Sequence, residues 1–268
     1  MSHAIQPLGF EETLIQGINV FRKHFVLIAG SFAAVFLPVQ LGVIVPMYFL
    51  VTSRIPTIEA NMTEEQVAVA MSSMAVATIT WVIFAGTVFF IAYTVAEGAL
   101  IYSAAKSYLG EQKTVGGSVS FGLSRFAPLL LTALLKGVII VIGLILFIVP
   151  GVYFFFRYAL TSSVVVIEGK SGMAALRRSK ELVSHSGHIL ELVGLGVICA
   201  LIGFAIGMPV DLLGDGIIAA IVGSVLQTLG FAFTATVFVV FYFSARCRID
   251  GFDLNRLAES LAARNVPS

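Results

Sequence analysis

Apolar residues in this chain fall into long runs separated by short polar segments, a pattern that predicts membrane-crossing helices. Six runs predict six spans: 26–51, 76–101, 126–149, 153–167, 189–208 and 217–244. Pro38 and Pro46 mark expected kink points in the first. The second lies in an apolar stretch of about 45 residues, 64–108, which would be about 68 Å long if wholly helical. A bilayer core is only about 30 Å thick. The helix is therefore expected to break near Ser72-Ser73 or to project from the membrane. Thr63-Glu64-Glu65-Gln66 has the capping-box pattern that starts it. Pro150-Gly151 is expected to end the third span and turn the chain. The fourth run, with Tyr153-Phe154-Phe155-Phe156 and Arg157, is short for a full span and is expected to return with little tilt or with local thinning of the bilayer.

Three further segments have a different character. Residues 10–25 place Leu14, Ile15, Ile18, Phe21 and Phe25 at helical spacing and end in Arg22, Lys23 and His24. Residues 171–186 set Met173, Leu176 and Leu182 against Arg177, Arg178 and Lys180. Residues 114–125 form a polar, glycine-bearing approach to the third span. All three are read as cytoplasmic interfacial segments. Each precedes an outgoing span that pairs with a returning one, so three interfacial-helix-plus-hairpin repeats are one expectation. The alternative is that basic residues precede outgoing helices in any six-span protein. The tail, 246–268, is polar, with helix expected over 253–263. The fold class is thus an all-α polytopic membrane protein forming a single domain over 1–268.

Composition strengthens this reading. Only 12% of residues are charged, against about 25% in soluble domains, and mean hydropathy is +1.00. Water cannot be the solvent for most of such a surface. Thirteen basic residues, Arg22, Lys23, Lys106, Lys113, Arg125, Lys170, Arg177, Arg178, Lys180, Arg246, Arg248, Arg256 and Arg264, fall on one side, and Arg54 alone on the other. That bias places both termini on the cytoplasmic side of the membrane. Glu11 and Glu12 precede an apolar run too long for a secretory signal. Cys199, in an apolar run, and Cys247, between two arginines, have no metal or nucleophile spacing and are read as structural.

Charges within spans are costly and so come first as candidate chemistry. Glu97, Lys136 and Arg157 each lie about 14–16 Å from the basic boundary by helical rise. They form either a polar cluster that meets an anionic headgroup, solute or proton, or a structural Glu97–Lys136 pair with Arg157 bonding carbonyls or reaching outward; the structural alternative is the stronger. Arg177, Arg178 and Lys180 are candidates for contact with anionic lipid headgroups, alongside their topogenic role. His185 and His188, near Glu181 and Glu191, are weak metal candidates that read better as polar interface residues. Gly203 and Gly207 would allow close helix packing. Asn61-Met62-Thr63 matches a glycosylation sequon, relevant only in a eukaryotic secretory pathway. No phosphate-binding loop, dinucleotide fingerprint or catalytic triad is evident, and no cofactor is implied. The basic residues are juxtamembrane and belong to no nucleic-acid-binding motif.

Residues 148–182 read IVPGVYFFFRYALTSSVVVIEGKSGMAALRRSKEL. Pro150-Gly151, Arg157-Tyr158, Glu168-Gly169 and the Ser171 to Ser179 helix in that stretch resemble the glycerophosphodiester phosphodiesterase membrane-domain family and related bacterial multi-pass proteins. The opening helix and the Cys247–Leu257 segment resemble it too. The resemblance implies a membrane domain without the catalytic barrel that some members carry, and it implies neither an activity nor site residues. The first functional expectation is a non-catalytic module that organises lipid or a partner protein. The alternative is a small transporter using the Glu97, Lys136 and Arg157 region. An enzyme ranks third, because only one carboxylate lies within the spans and no base–nucleophile pair is evident.

Overall fold

The computed structural model describes residues 7–54, 63–111, 113–184, 188–211, 214 and 216–250; among these there are helices and short connections and no strand. Six helices are long and apolar enough to cross a membrane. The chain is thus a multi-pass, membrane-embedded helical bundle. Its helices are α1 (Phe10–Lys23), α2 (Phe25–Arg54), α3 (Glu64–Tyr108), α4 (Val115–Ser124), α5 (Phe126–Leu146) and α6 (Ile148–Arg157), then α7 (Thr161–Ser163), which runs into a π-helical turn at Val164–Glu168, and finally α8 (Gly172–Ser184), α9 (His188–Asp211) and α10 (Ile217–Asp250). The expected helix over 253–263 and the sequon at Asn61 lie outside the described residues.

The long apolar stretch is one unbroken helix, α3, of 45 residues. Ser72 and Ser73 do not break it because their hydroxyls donate to the Val69 and Ala70 carbonyls, at 2.9 and 2.8 Å, and so satisfy themselves within the helix. Its start is the expected reciprocal cap. The Thr63 hydroxyl accepts from Gln66 N at 3.3 Å, and Thr63 N donates to Gln66 Oε1 at 3.1 Å. Thr63→Ala should cost this exposed end about 1 kcal/mol. Faster hydrogen exchange confined to the first turn of α3 is the expected readout.

The turn between the third and fourth spans corrects the sequence expectation. The chain turns at Phe147, which is extended (φ −162°, ψ 150°), while Pro150 and Gly151 lie in the first turn of α6. Proline is tolerated there because first-turn amides lack helical acceptors. Gly151 instead sets the hairpin spacing: a Cβ on it would lie 2.4 Å from the Leu144 side chain and 2.8 Å from Leu144 N. The fourth span is interrupted by the turn at 158–160 and finishes as the π-helical turn, which is how a short apolar run covers Ile148–Glu168.

Burial concentrates at one end of the bundle. Ile28, Phe32, Ala96, Leu100, Leu160, Leu182, Leu192, Phe241 and Tyr242 form a continuous core there. The same end carries α1 and α8, the starts of α2 and α9, and the ends of α3 and α10. Leu8 N donates to Ser244 Oγ at 2.9 Å, and Arg248 Nη1 bonds Glu191 at 3.1 Å. We call it the basic end. At the opposite end α3, α5 and α9 expose Ile83, Ile145 and Phe204, as a lipid solvent permits.

Candidate functional site

Toward the far end α6, α9 and α10 diverge and leave a groove of about 840 Å³. Phe155, Phe156 and Phe238 form part of its apolar lining. Phe155, Val197, Phe204 and Met208 at its rim are exposed, so the groove opens sideways at the height of the spans. Gly203, Gly207 and Gly230 line it, and a Cβ on any of them would meet nothing within 4 Å. Gly203 and Gly207 therefore do not bring α9 against a neighbouring helix of this chain, contrary to the packing expectation. They widen the groove.

Gln227 and Thr234 are the polar side chains of this wall among the described residues. Gln227 Oε1 accepts from Gln40 Nε2 at 2.7 Å, and Gln40 Oε1 lies 3.4 Å from the Thr228 hydroxyl. Gln40 is buried between α2 and α10, whereas Gln227 faces the groove. The Gln227 Nε2 group has no partner among the described residues and is available to whatever fills the space. Sequence reasoning missed this pair. Two glutamines inside apolar runs were the available signal, because an amide in hydrocarbon needs a partner.

A second polar assembly closes the basic end. Glu168 follows from the π-helical turn, and the positive φ of Gly169 (71°) lets the chain reverse immediately into α8. Glu168 Oε1 accepts from Arg178 Nε at 3.1 Å and from the Tyr242 hydroxyl at 2.9 Å, while Lys170 meets Oε2 at 2.7 Å. Arg178 also donates to Glu181 at 3.1 Å and to Asp250. Burial opposes the Arg178 charge, but its hydrogen bonds to Glu168, Asp250 and Glu181 outweigh that and raise the guanidinium pKa above its ordinary value. Glu168 and Arg178 thus build a clamp between α8 and α10.

Arg178 is turned inward by three carboxylates, whereas Arg177 and Lys180 are exposed. Glu97 and Lys136 are half-buried on α3 and α5, and among the described residues no ion pair joins them to each other or to Arg157. The expected structural pair is therefore not formed. Arg157 stacks its guanidinium 5.0 Å from the Tyr153 ring, and its carbonyl accepts from Ser179 Oγ at 3.1 Å. None of these three charged residues lines the groove. His185 lies outside the described residues. His188 is buried with Nδ1 3.0 Å from the Leu182 carbonyl, while Glu181 and Glu191 are engaged by Arg178 and Arg248. No group of three or more metal-ligating side chains occurs among the described residues. Cys199 and Cys247 are both buried. Comparison of this chain with protein-family models, curated proteins and solved structures finds no match.

Proposed function

We propose that this protein is a non-catalytic module of the bacterial cytoplasmic membrane that organises lipid, holding an acyl chain in the groove between α6, α9 and α10. The observation that carries this reading is an apolar groove open at span height, with glycines where side chains would fill it. In a bilayer the only abundant material at that height is hydrocarbon. The Gln227 amide supplies one donor for an ester carbonyl or hydroxyl at the chain's polar end. Gathering of Arg22, Lys23, Lys113, Arg178 and Arg248 at one end supports a cytoplasmic position for that end. The helix breaks at His24 and Arg125, each between a short helix and a span, support the three interfacial-helix-plus-hairpin units. The resemblance to the glycerophosphodiester phosphodiesterase membrane-domain family supports a membrane role with a structural use of the shared motif, since Glu168 and Arg178 are occupied by each other.

The test is lipid retention. Gly203→Phe and Gly230→Phe project into open space and should fill the groove without moving a backbone. After purification in mild detergent, the wild type should carry lipid through delipidation, and each variant should carry less at an unchanged melting temperature. Equal retention by wild type and variants would defeat the reading. A wild-type dimer that Gly203→Phe dissociates would assign the groove to a second copy of this chain.

One observation favours the transporter as a second reading. Glu97 and Lys136 are charges within spans that have no ion partner among the described residues, and such groups often lie on solute or proton paths.

A further inference from the structure

At the basic end, the α1–α2 junction meets the connection after α3 in a cavity of about 390 Å³. Arg22, Lys23, His24, Glu111 and Lys113 form its polar walls, and Phe25, Val26 and Leu27 form its base. The sequence pattern explains the juxtaposition. The α1 helix ends at Lys23, leaving its basic last turn beside the first residues of the following span. The α3 helix ends at Tyr108, and Gly110, at φ 78°, turns the chain so that Glu111 and Lys113 come alongside.

The charges here do not cancel. Among the described residues Glu111 is the one carboxylate in the lining, and it is held by Lys106 at 2.7 Å and Lys113 at 3.5 Å. The hydrogen bond from Lys106, against the opposing effect of burial, keeps its pKa below the ordinary range. Arg22 and Lys23 make no ion pair among the described residues, and both are exposed. Burial, and then the Lys23 charge, lower the His24 pKa. Three cations of the lining, Arg22, Lys23 and Lys113, therefore face one carboxylate. Directly beneath them Phe25 and Val26 are 43% and 77% exposed at the first turn of a membrane span. Cations above exposed hydrocarbon is the arrangement that a lipid molecule complements end to end.

We infer that the pocket formed by Arg22, Lys23, His24 and Lys113 binds the phosphate of an anionic phospholipid headgroup, with the lipid's chains against Phe25 and Val26. This rests on the lipid-organising reading but uses a different part of the molecule from the groove. It also differs from the Arg177, Arg178 and Lys180 surface, where Arg178 is already engaged. Phosphate is chemistry that a soluble ion could also supply. The apolar base favours the lipid, because a free ion has no use for it.

The experiment measures binding of phosphatidylglycerol and phosphatidylcholine to the full chain in uncharged detergent, by native mass spectrometry. Phosphatidylglycerol should bind more tightly, with the preference shrinking as salt rises. Each cation removed should weaken it about fivefold, and Arg22→Gln/Lys23→Gln/Lys113→Gln together on the order of 100-fold. Arg177→Gln/Lys180→Gln should leave the affinity unchanged. As a check independent of variant folding, a photoreactive headgroup analogue should crosslink the wild type within residues 22–27 and 111–113. Unchanged binding by the triple variant, an equal loss in the Arg177/Lys180 variant, or crosslinks confined to other segments would each overturn the inference. Displacement of the lipid by equimolar inorganic phosphate would overturn the lipid assignment in favour of a soluble anion. A wild type with no phosphatidylglycerol preference while Gly203→Phe still reduces lipid retention would refute this site alone; a wild-type preference with lipid retention untouched by Gly203→Phe would refute the groove alone.

Discussion

Arg178→Ala will destabilise the protein by about 3 kcal/mol or more, the largest loss expected from a single polar substitution. The Glu168 and Arg178 side chains are only 7% and 11% exposed, so removing the guanidinium strands a carboxylate that water cannot reach easily. It also releases Asp250 at the end of α10 and unfastens α8 from that helix. Lys170 and the Tyr242 hydroxyl still reach Glu168, which keeps the loss toward the lower end of the range for a broken buried pair. Two companions give this number a mechanism. Lys170→Ala, whose side chain is 47% exposed, should cost no more than about 1 kcal/mol. Glu168→Gln with Arg178→Met should be less damaging than Arg178→Ala alone, because no buried charge is left unpaired. Unfolding of the purified variants in mixed micelles reads all three. Equal losses for Arg178→Ala and Lys170→Ala would mean that the clamp is merely surface pairing.

Gly122→Ala should cost about 1–3 kcal/mol, and Gly122→Leu should prevent a folded yield altogether. A Cβ at this position would lie 2.6 Å from the Val95 carbonyl oxygen and 2.9 Å from Ala99 N. Both are backbone atoms of α3, so relief requires the two helices to separate. Gly98 faces the same contact, with an added Cβ 3.4 Å from Gly122 Cα, and it also meets α5, 2.6 Å from Leu129 Cδ1. This close approach is what small residues provide where helices meet in a membrane. Gly86→Ala on the same helix meets nothing within 4 Å and should be neutral or stabilising by up to about 1 kcal/mol. Thermal stability of the two alanine variants, measured side by side, should separate them clearly. A neutral Gly122→Ala would show that α4 is not seated on α3.

These two features differ in how far the sequence announced them. Spans were legible because hydrophobic runs and bilayer thickness leave little choice, and the cap at Thr63 was legible because its chemistry is local. The continuity of α3 through Ser72-Ser73 was left open, since serine can bond its own helix or interrupt it. Pro150 misled for a related reason: in the sequence it marks a helix boundary, and only the fold decides that it starts a helix instead of ending one. Arg178 and Arg177 are neighbours with the same charge, and nothing local distinguishes the one that three carboxylates hold from the one left outside. The Gln40–Gln227 bond joins residues 187 positions apart, and the groove beside it exists because α6, α9 and α10 diverge. Divergence of helices has no signature in a single run of apolar residues. Gly203 and Gly207 show the same limit, since an identical spacing serves close packing in one setting and an open wall in another.

A bundle that holds lipid differs from one that passes a solute in whether water reaches the charged residues within its spans. Cysteine accessibility at positions 97, 136 and 157, introduced one at a time with Cys199 and Cys247 replaced, tests this most directly. The account predicts that a small, water-soluble, membrane-impermeant thiol reagent labels none of them from either face while the protein remains folded. Labelling at any of the three from one face would reveal an aqueous path to the charges within the spans, and would contradict the lipid-organising account in favour of transport.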